Sequence, residues 1–352
     1  MENRKVQRVG KLTLSVSLPN TWAKEHGVKQ GDLIAFRPEN DGSLRLMLSP
    51  LAEKIGASSE VSVPAELCNE PGLLERIIVG NYVLGRDTIR IVAPRRLNST
   101  HISNVRNVLH KLIGLSIIEE TSNQLILQCS VDPSKFPIDI VIRRLYVLAS
   151  TICQEAMQAL FEDNSDLAKG AILREDEADM MCFLALRLLL LTQQDRGLAK
   201  KISLTDPLHL MGNRHVVSLL EEMADWGENM AESALAMKTH GENISKQLIN
   251  SISKISELSI KISNGAINSL FSGDISAANR SINDHKKLIE LEEDKIINGI
   301  TNNIRHPESI SCLRSLIWGI RRIGEIGAEI AQVAINRALE KSIKYSELAQ
   351  VK

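Results

Sequence analysis

Apolar and polar positions follow three different rhythms along this chain. Residues 1–50 are short-period and turn-rich. VQRVGKLTLSVSLP alternates over two strands, with Gly10-Lys11 at the turn. SLPNTWAKEHG then reads as one short helix, with Pro19 near its first turn and Gly27 as its stop. VKQGDLIAFRPENDGSLRLML follows as a turn and two strands joined by a hairpin at Asn40-Asp41-Gly42. Residues 57–132 alternate strand and helix signals. SSEVSVP, TIRIVAP and a hairpin in LSIIEETSNQLILQC, turning at Ser122-Asn123, read as strands; PGLLERIIVGNYVLG and SNVRNVLHKLIG read as helices. From residue 138 onward apolar residues recur every three or four positions, broken at 164–166, 206–213, 272–274 and 305–309, which predicts six helices.

Those helices repeat. HVVSLLEEMADWGENMAESAL and SLIWGIRRIGEIGAEIAQVAI superpose at an offset of 100, matching Asp225 with Glu325 and Gly227 with Gly327. LFEDNSDLA and LFSGDISAA echo each other at an offset of 110. The reading is a multidomain chain: a small β head at 1–50, an α+β layer at 57–132 with the strand order of a ferredoxin- or ACT-like unit in spirit, and two three-helix bundles at 138–240 and 244–342. A β unit of 50 residues buries little core alone, so an obligate dimer is expected.

Composition narrows the function. Net charge is −1, so any nucleic-acid footprint must be local. Aromatics are only 3 %, which argues against stacking platforms for single strands. The five cysteines form no C-x-x-C pair, the start lacks a signal-peptide h-region, and the longest apolar run, CFLALRLLLL, is short and broken by Arg187. The expectation is a cytoplasmic protein without membrane insertion. No phosphate-binding loop, nucleophile elbow, H-E-x-x-H or di-iron Glu-x-x-His appears, and none of the eight histidines stands at metal-ligand spacing, so a catalytic role is not expected.

Two charge patterns carry chemistry. Residues 1–48 hold eight Lys or Arg against five Asp or Glu, a net of +3, with Arg4, Lys5, Arg8 and Lys11 near the start. That suits a DNA phosphate backbone, and equally a protected edge strand. LEEMADWGENMAE (220–232) sets Glu221, Asp225, Glu228 and Glu232 in a row spanning roughly 60° of a helix, opposite the apolar Val216, Leu219, Met223, Met230 and Ala234. No Lys on this helix answers the row within a turn. It reads either as a solvated acidic face or as a site for a hard or intermediate cation such as Mg²⁺, Mn²⁺ or Fe. The preceding helix adds Asp176 and Asp179, three apart. The second copy replaces Glu221 by Arg321, Asp225 by Glu325, Asn229 by Glu329 and Glu232 by Gln332; Arg321 and Glu325 can pair internally, and a second cation site is not expected.

These motifs resemble known families. Arg4, Gly10, Ser17-Leu18-Pro19, Trp22, Gly27-Val28 and Gly31-Asp32 resemble the AbrB/SpoVT/MazE swapped-hairpin pattern, and LEEMADWGENMAE resembles the L-E-R-I-A-D-H-x-x-N-I-A-E type motif of PhoU. The whole order is similar to archaeal phosphate uptake regulators. The resemblance implies a homodimer or higher oligomer that binds double-stranded DNA through Arg4, Lys5, Arg8 and Lys11 and regulates phosphate uptake. It implies a divalent or iron ion at Glu221, Asp225, Asn229, Asp176 and Asp179, with no other cofactor. It also implies contact with the phosphate ABC transporter ATPase or a signalling kinase; an adaptor that never touches DNA is the alternative. For the α+β layer a spacer or dimer interface is the plainest role.

Overall fold

A computed structural model describes residues 3–38, 42–48, 60–204, 206–239, 244–304, 306–340 and 345–346. Of the expected features, Asn40, Asp41, Ser58, Arg305 and the ends of both helical repeats at 240 and 342 lie outside these residues. The chain divides into two units, Met1–Ser58 and Ser59–Lys352.

The first unit has two hairpins and a helix. Strands β1 (Gln7–Val9) and β2 (Thr13–Ser15) pair antiparallel around Gly10, whose φ of 72° is the left-handed conformation such a turn needs. Helix α1 (Asn20–Glu25) ends at Gly27, again with positive φ, and β3 (Ile34–Pro38) pairs with β4 (Leu44–Leu48). No described residue of this unit is buried. Val6, Val9, Leu12, Leu14, Leu33 and Phe36 are all exposed, so the alternating pattern makes strands that lack a core to face. Trp22 is half-buried and stacks on His26.

The second unit opens with strand β5 (Glu60–Pro64), helix α2 (Leu73–Val83), strand β6 (Thr88–Val92), helix α3 (Ser99–Leu109) and the hairpin β7 (Leu115–Glu120) and β8 (Gln124–Cys129). The sheet order is β5-β6-β8-β7, parallel only between β5 and β6. The βαβαββ sequence of elements is the one read from the chain, and it differs from the βαββαβ order of a ferredoxin-like unit. Here the second helix precedes the final hairpin, so both last strands enter the sheet side by side.

Among the described residues seven α-helices follow: α4 (Ile138–Glu162), α5 (Ser165–Gln194), the short α6 (Arg196–Lys201), α7 (Pro207–Thr239), α8 (Lys246–Ser272), α9 (Ile275–Asn303) and α10 (Pro307–Ala338). The break expected at 206–213 is corrected by this arrangement. The helix α5 ends at Gln194, the short α6 follows, and α7 begins at Pro207, where Asp206 Oδ1 accepts from Leu208 N at 2.9 Å. Gly212, which looked like a breaker, is a packing glycine: a Cβ there would meet Val333 at 3.2 Å.

α4 packs on α5 and α7, α8 packs on α9 and α10, and the two repeats meet chiefly along α7 and α10. The sequence match between Gly227 and Gly327 has a common physical cause. A Cβ on Gly227 would lie 2.7 Å from Ile152 and 3.1 Å from Cys153 N, while one on Gly327 would lie 2.9 Å from Ile262 and 2.8 Å from Ser263 N. Ile152–Cys153 and Ile262–Ser263 are themselves equivalent at the offset of 110. Each repeat thus brings its third helix against the backbone of its first at the same place.

The α+β layer is not a separate body. Arg187 on α5, 2 % exposed, donates to Tyr82 O at 2.6 Å, Arg86 O at 3.0 Å and Asp87 Oδ1 at 2.5 Å, and its guanidinium lies 4.9 Å from the Tyr82 ring centre. The residue that breaks the apolar run is thus the joint between layer and bundle.

Gly227→Ala and Gly327→Ala should each destabilise the protein by about 1–3 kcal/mol in urea unfolding, because the overpacked contact outweighs the gain in helix propensity. Gly170→Ala, in α5 with nothing within 4 Å of the added carbon, should instead leave stability unchanged or raise it by up to about 1 kcal/mol.

A candidate acidic cation groove

The acid row of α7 is only partly open to solvent, although its position opposite the core suggested full exposure. Glu221 and Glu228 are half-buried and Asp225 is exposed, and the row lies along the contact of α7 with α5. On α5, Glu175 and Asp179 are half-buried and Asp176 exposed. The spacing of three and four residues on both helices sets the two rows on facing sides, which concentrates like charge where water is partly excluded.

The cation that answers this charge comes from the α+β layer. Lys111, in the turn after α3, places Nζ 3.0 Å from Asp176 Oδ1 and 2.9 Å from Asp179 Oδ2. Burial disfavours its charge, but Asp179 and Asp176 outweigh that and hold its pKa above the usual lysine range. One ammonium does not neutralise the groove. Burial first, and the Asp179 carboxylate second, push Glu175 up to about 8. Burial and then Asp225 and Asp179 push Glu221 up to about 7. Asp225 is raised by its partial desolvation and by Asp179, and Glu228 by desolvation and then Glu232 and Asp225. Near neutral pH the groove therefore holds protons that ordinary carboxylates would have released. Beneath it, burial pushes the Cys182 thiol up to about 12, so it carries no thiolate at neutral pH.

The structure brings Asp176, Asp179, Glu221 and Asp225 into one electrostatic neighbourhood. Asn229 is engaged elsewhere: its Oδ1 accepts from Ser315 Oγ on α10 at 2.5 Å. Two members were missed from the sequence. Glu175 could have been found as the neighbour of Asp176 turned toward α7; Lys111 had no local signal, because it belongs to a different layer.

The second repeat is built differently. Arg322 on α10 donates from Nε and Nη2 to Glu222 at 2.6 and 2.8 Å, and also meets Glu325 at 3.0 Å and Glu329 at 2.8 Å. Its guanidinium holds the Glu222 carboxyl below the usual range. The two acids that replace Asp225 and Asn229 are thus bound internally, by Arg322. Glu222 and Arg322 are one repeat offset apart, so the residue gripped in the first copy occupies the gripping residue's own place.

Among the described residues the groove does not bring three carboxylate ligand atoms within 4.8 Å of one another. One trio does so: Asp206, His209 and Glu340. This corrects the expectation that no histidine has ligand spacing. His209 Nε2 lies 2.6 Å from Glu340 Oε2, which ties the start of α7 to the end of α10, and Asp206 also caps α7. The i,i+3 relation of Asp206 and His209 was the readable half of that signal.

The basic residues of the head also have their places. Arg4 and Lys5 lie in the lead-in to β1, Arg8 on β1 and Lys11 in the β1–β2 turn, all exposed on one hairpin. No helix among the described residues is long and apolar enough to cross a membrane.

The raised carboxylates link stability to pH. Glu175 and Glu221 bind protons more tightly in the folded than in the unfolded chain, so between about pH 4.5 and 8 folding takes up protons and the native state weakens as pH rises. Thermal unfolding should give a lower Tm at pH 8.5 than at pH 6. Glu175→Gln with Glu221→Gln should flatten that slope; an unchanged slope would remove these groups as its cause.

No curated protein matches this chain. Residues 142–234, which run from the first turns of α4 to the latter part of α7 and hold every acidic residue of the groove, match the family described as PhoU domain.

Proposed function

We propose that this protein regulates phosphate uptake, with the PhoU domain as its sensing or docking body and the β head as a dimeric DNA-binding element. The match over residues 142–234 carries this reading. A regulatory role is the one this reading gives the chain. The phosphate transporter ATPase or its signalling kinase is the partner class for the bundles.

In this reading the groove of Glu175, Asp176, Asp179, Glu221 and Asp225 takes a divalent or iron ion. The donor set supports this: several carboxylates, partly desolvated, outnumber the cations that act on them, Lys111 and Arg214. A bound cation would supply the missing positive charge and displace the protons of Glu175 and Glu221. The second repeat lacks that need, because Arg322 neutralises its acids.

The head supports the DNA reading in two ways. Its exposed apolar residues call for a second copy, and pairing doubles the exposed Arg4, Lys5, Arg8 and Lys11. An exchange of hairpins of the AbrB type would supply the core that one copy lacks.

Two measurements test the reading. Elemental analysis of protein purified without chelator should find metal in the native chain and at least about tenfold less in Asp225→Asn, as expected for the loss of a ligating charge; metal-free native protein would end the cation assignment. Duplex binding to the promoter region of neighbouring phosphate-transport genes should weaken with salt, and Arg4→Ala or Arg8→Ala should each lower the salt slope by about 1 while the dimer stays intact. Absence of binding at low salt by an intact dimer would favour the adaptor that acts through protein contact alone.

A further inference from the structure

A cavity of about 580 Å³ opens between α2, α3 and α5, where the α+β layer meets the bundle. Its walls are Val79, Val83, Val108, Phe183 and Leu186. That volume falls within the roughly 300–1,000 Å³ of small-molecule sites.

Gly80 adds to the space. It sits inside α2, where a glycine costs about 1 kcal/mol relative to alanine. The usual reasons for keeping one are missing. Its φ is not positive, and no atom lies within 4 Å of the Cβ it lacks. At Gly227, Gly319 and Gly327 the same added carbon would collide with a neighbouring helix. Gly80 makes no close approach; it leaves room in the cavity it lines.

Charge on the lining is specific. Arg76, Lys111 and Glu75 are the charged residues of the lining, and Asp176 and Asp179 already hold the Lys111 ammonium. Arg76 is exposed, donates Nη1 to Pro71 O at 3.2 Å, and has no carboxylate partner among the described residues. A polyanion reaching Lys111 would meet those two acids, whereas an uncharged body leaves Arg76 without a charged partner.

We propose that this cavity binds a small amphipathic monoanion, its apolar body against Val79, Val83, Val108, Phe183 and Leu186 and its acidic head on Arg76. The site stands on Arg76 and the apolar walls and not on the acids of the groove, whose partner Lys111 lines it from the other side.

The probe is decanoate, titrated calorimetrically into the full chain below its micelle concentration, with decyltrimethylammonium as the same body of opposite charge. One decanoate should bind per chain, and decyltrimethylammonium should not compete. Gly80→Leu, which fills the space with a better helix former, should weaken decanoate at least about tenfold without lowering the Tm. Arg76→Met should weaken it by about tenfold through loss of a charged hydrogen bond. Arg76 is on the surface, so this variant decides the matter even where Gly80→Leu disturbs the fold. Decanoate uptake that is absent, insensitive to both substitutions, or matched by the cationic probe would overturn the site; the last two results would assign uptake to the exposed apolar surface of the head.

Discussion

A guanidinium buried in the α5 helix decides how the larger unit is put together. A charge removed from water costs several kcal/mol unless its donors are met. Arg187 meets that demand with two carbonyls, one carboxylate and the face of Tyr82, from the end of α2 and the turn that leads to β6. Because a guanidinium is planar and its donors diverge, those partners must hold one position relative to α5. Gly85, in the same turn, packs where a Cβ would strike Leu191. With the α2–β6 turn pinned there, Lys111 reaches the acids of α5, and the cavity between α2, α3 and α5 acquires its walls.

The two helical repeats show packing and charge as separate constraints. Gly227 and Gly327 make the same close contact in both copies, so backbone geometry has been kept where helices touch. Charge has diverged around that frame. The first copy gathers carboxylates and borrows Lys111 from another layer; the second answers its own acids with Arg322. Arg322 also reaches back to Glu222, so the neutral repeat is tied to the acidic one.

Much of the candidate site was legible. The spacing of Glu221, Asp225 and Glu228 on one helix, and of Asp176 and Asp179 on the one before, follows from the helical period alone. Their surroundings were not legible. A helical wheel assigns a residue to a side of its own helix, but it cannot say that another helix covers part of that side, and Glu221 and Glu228 of the row turned out to be half-buried. Glu175 was missed for the same reason. Lys111 and Arg187 lay further out of reach, since their partners stand 65 to 105 positions away in the chain.

What the sequence determined by itself was local and periodic: the hairpin at Gly10, the order of strands and helices between 60 and 129, the long amphipathic helices, and their duplication. These follow from backbone preferences and from apolar spacing, which act over a few residues. The tertiary structure decided the sheet order, the true start of α7 at Pro207, the partners of the buried Arg187, and the meeting of Lys111 with the acid groove. Such pairings depend on desolvation and Coulomb interaction between groups that only the packed chain brings within a few ångströms of each other.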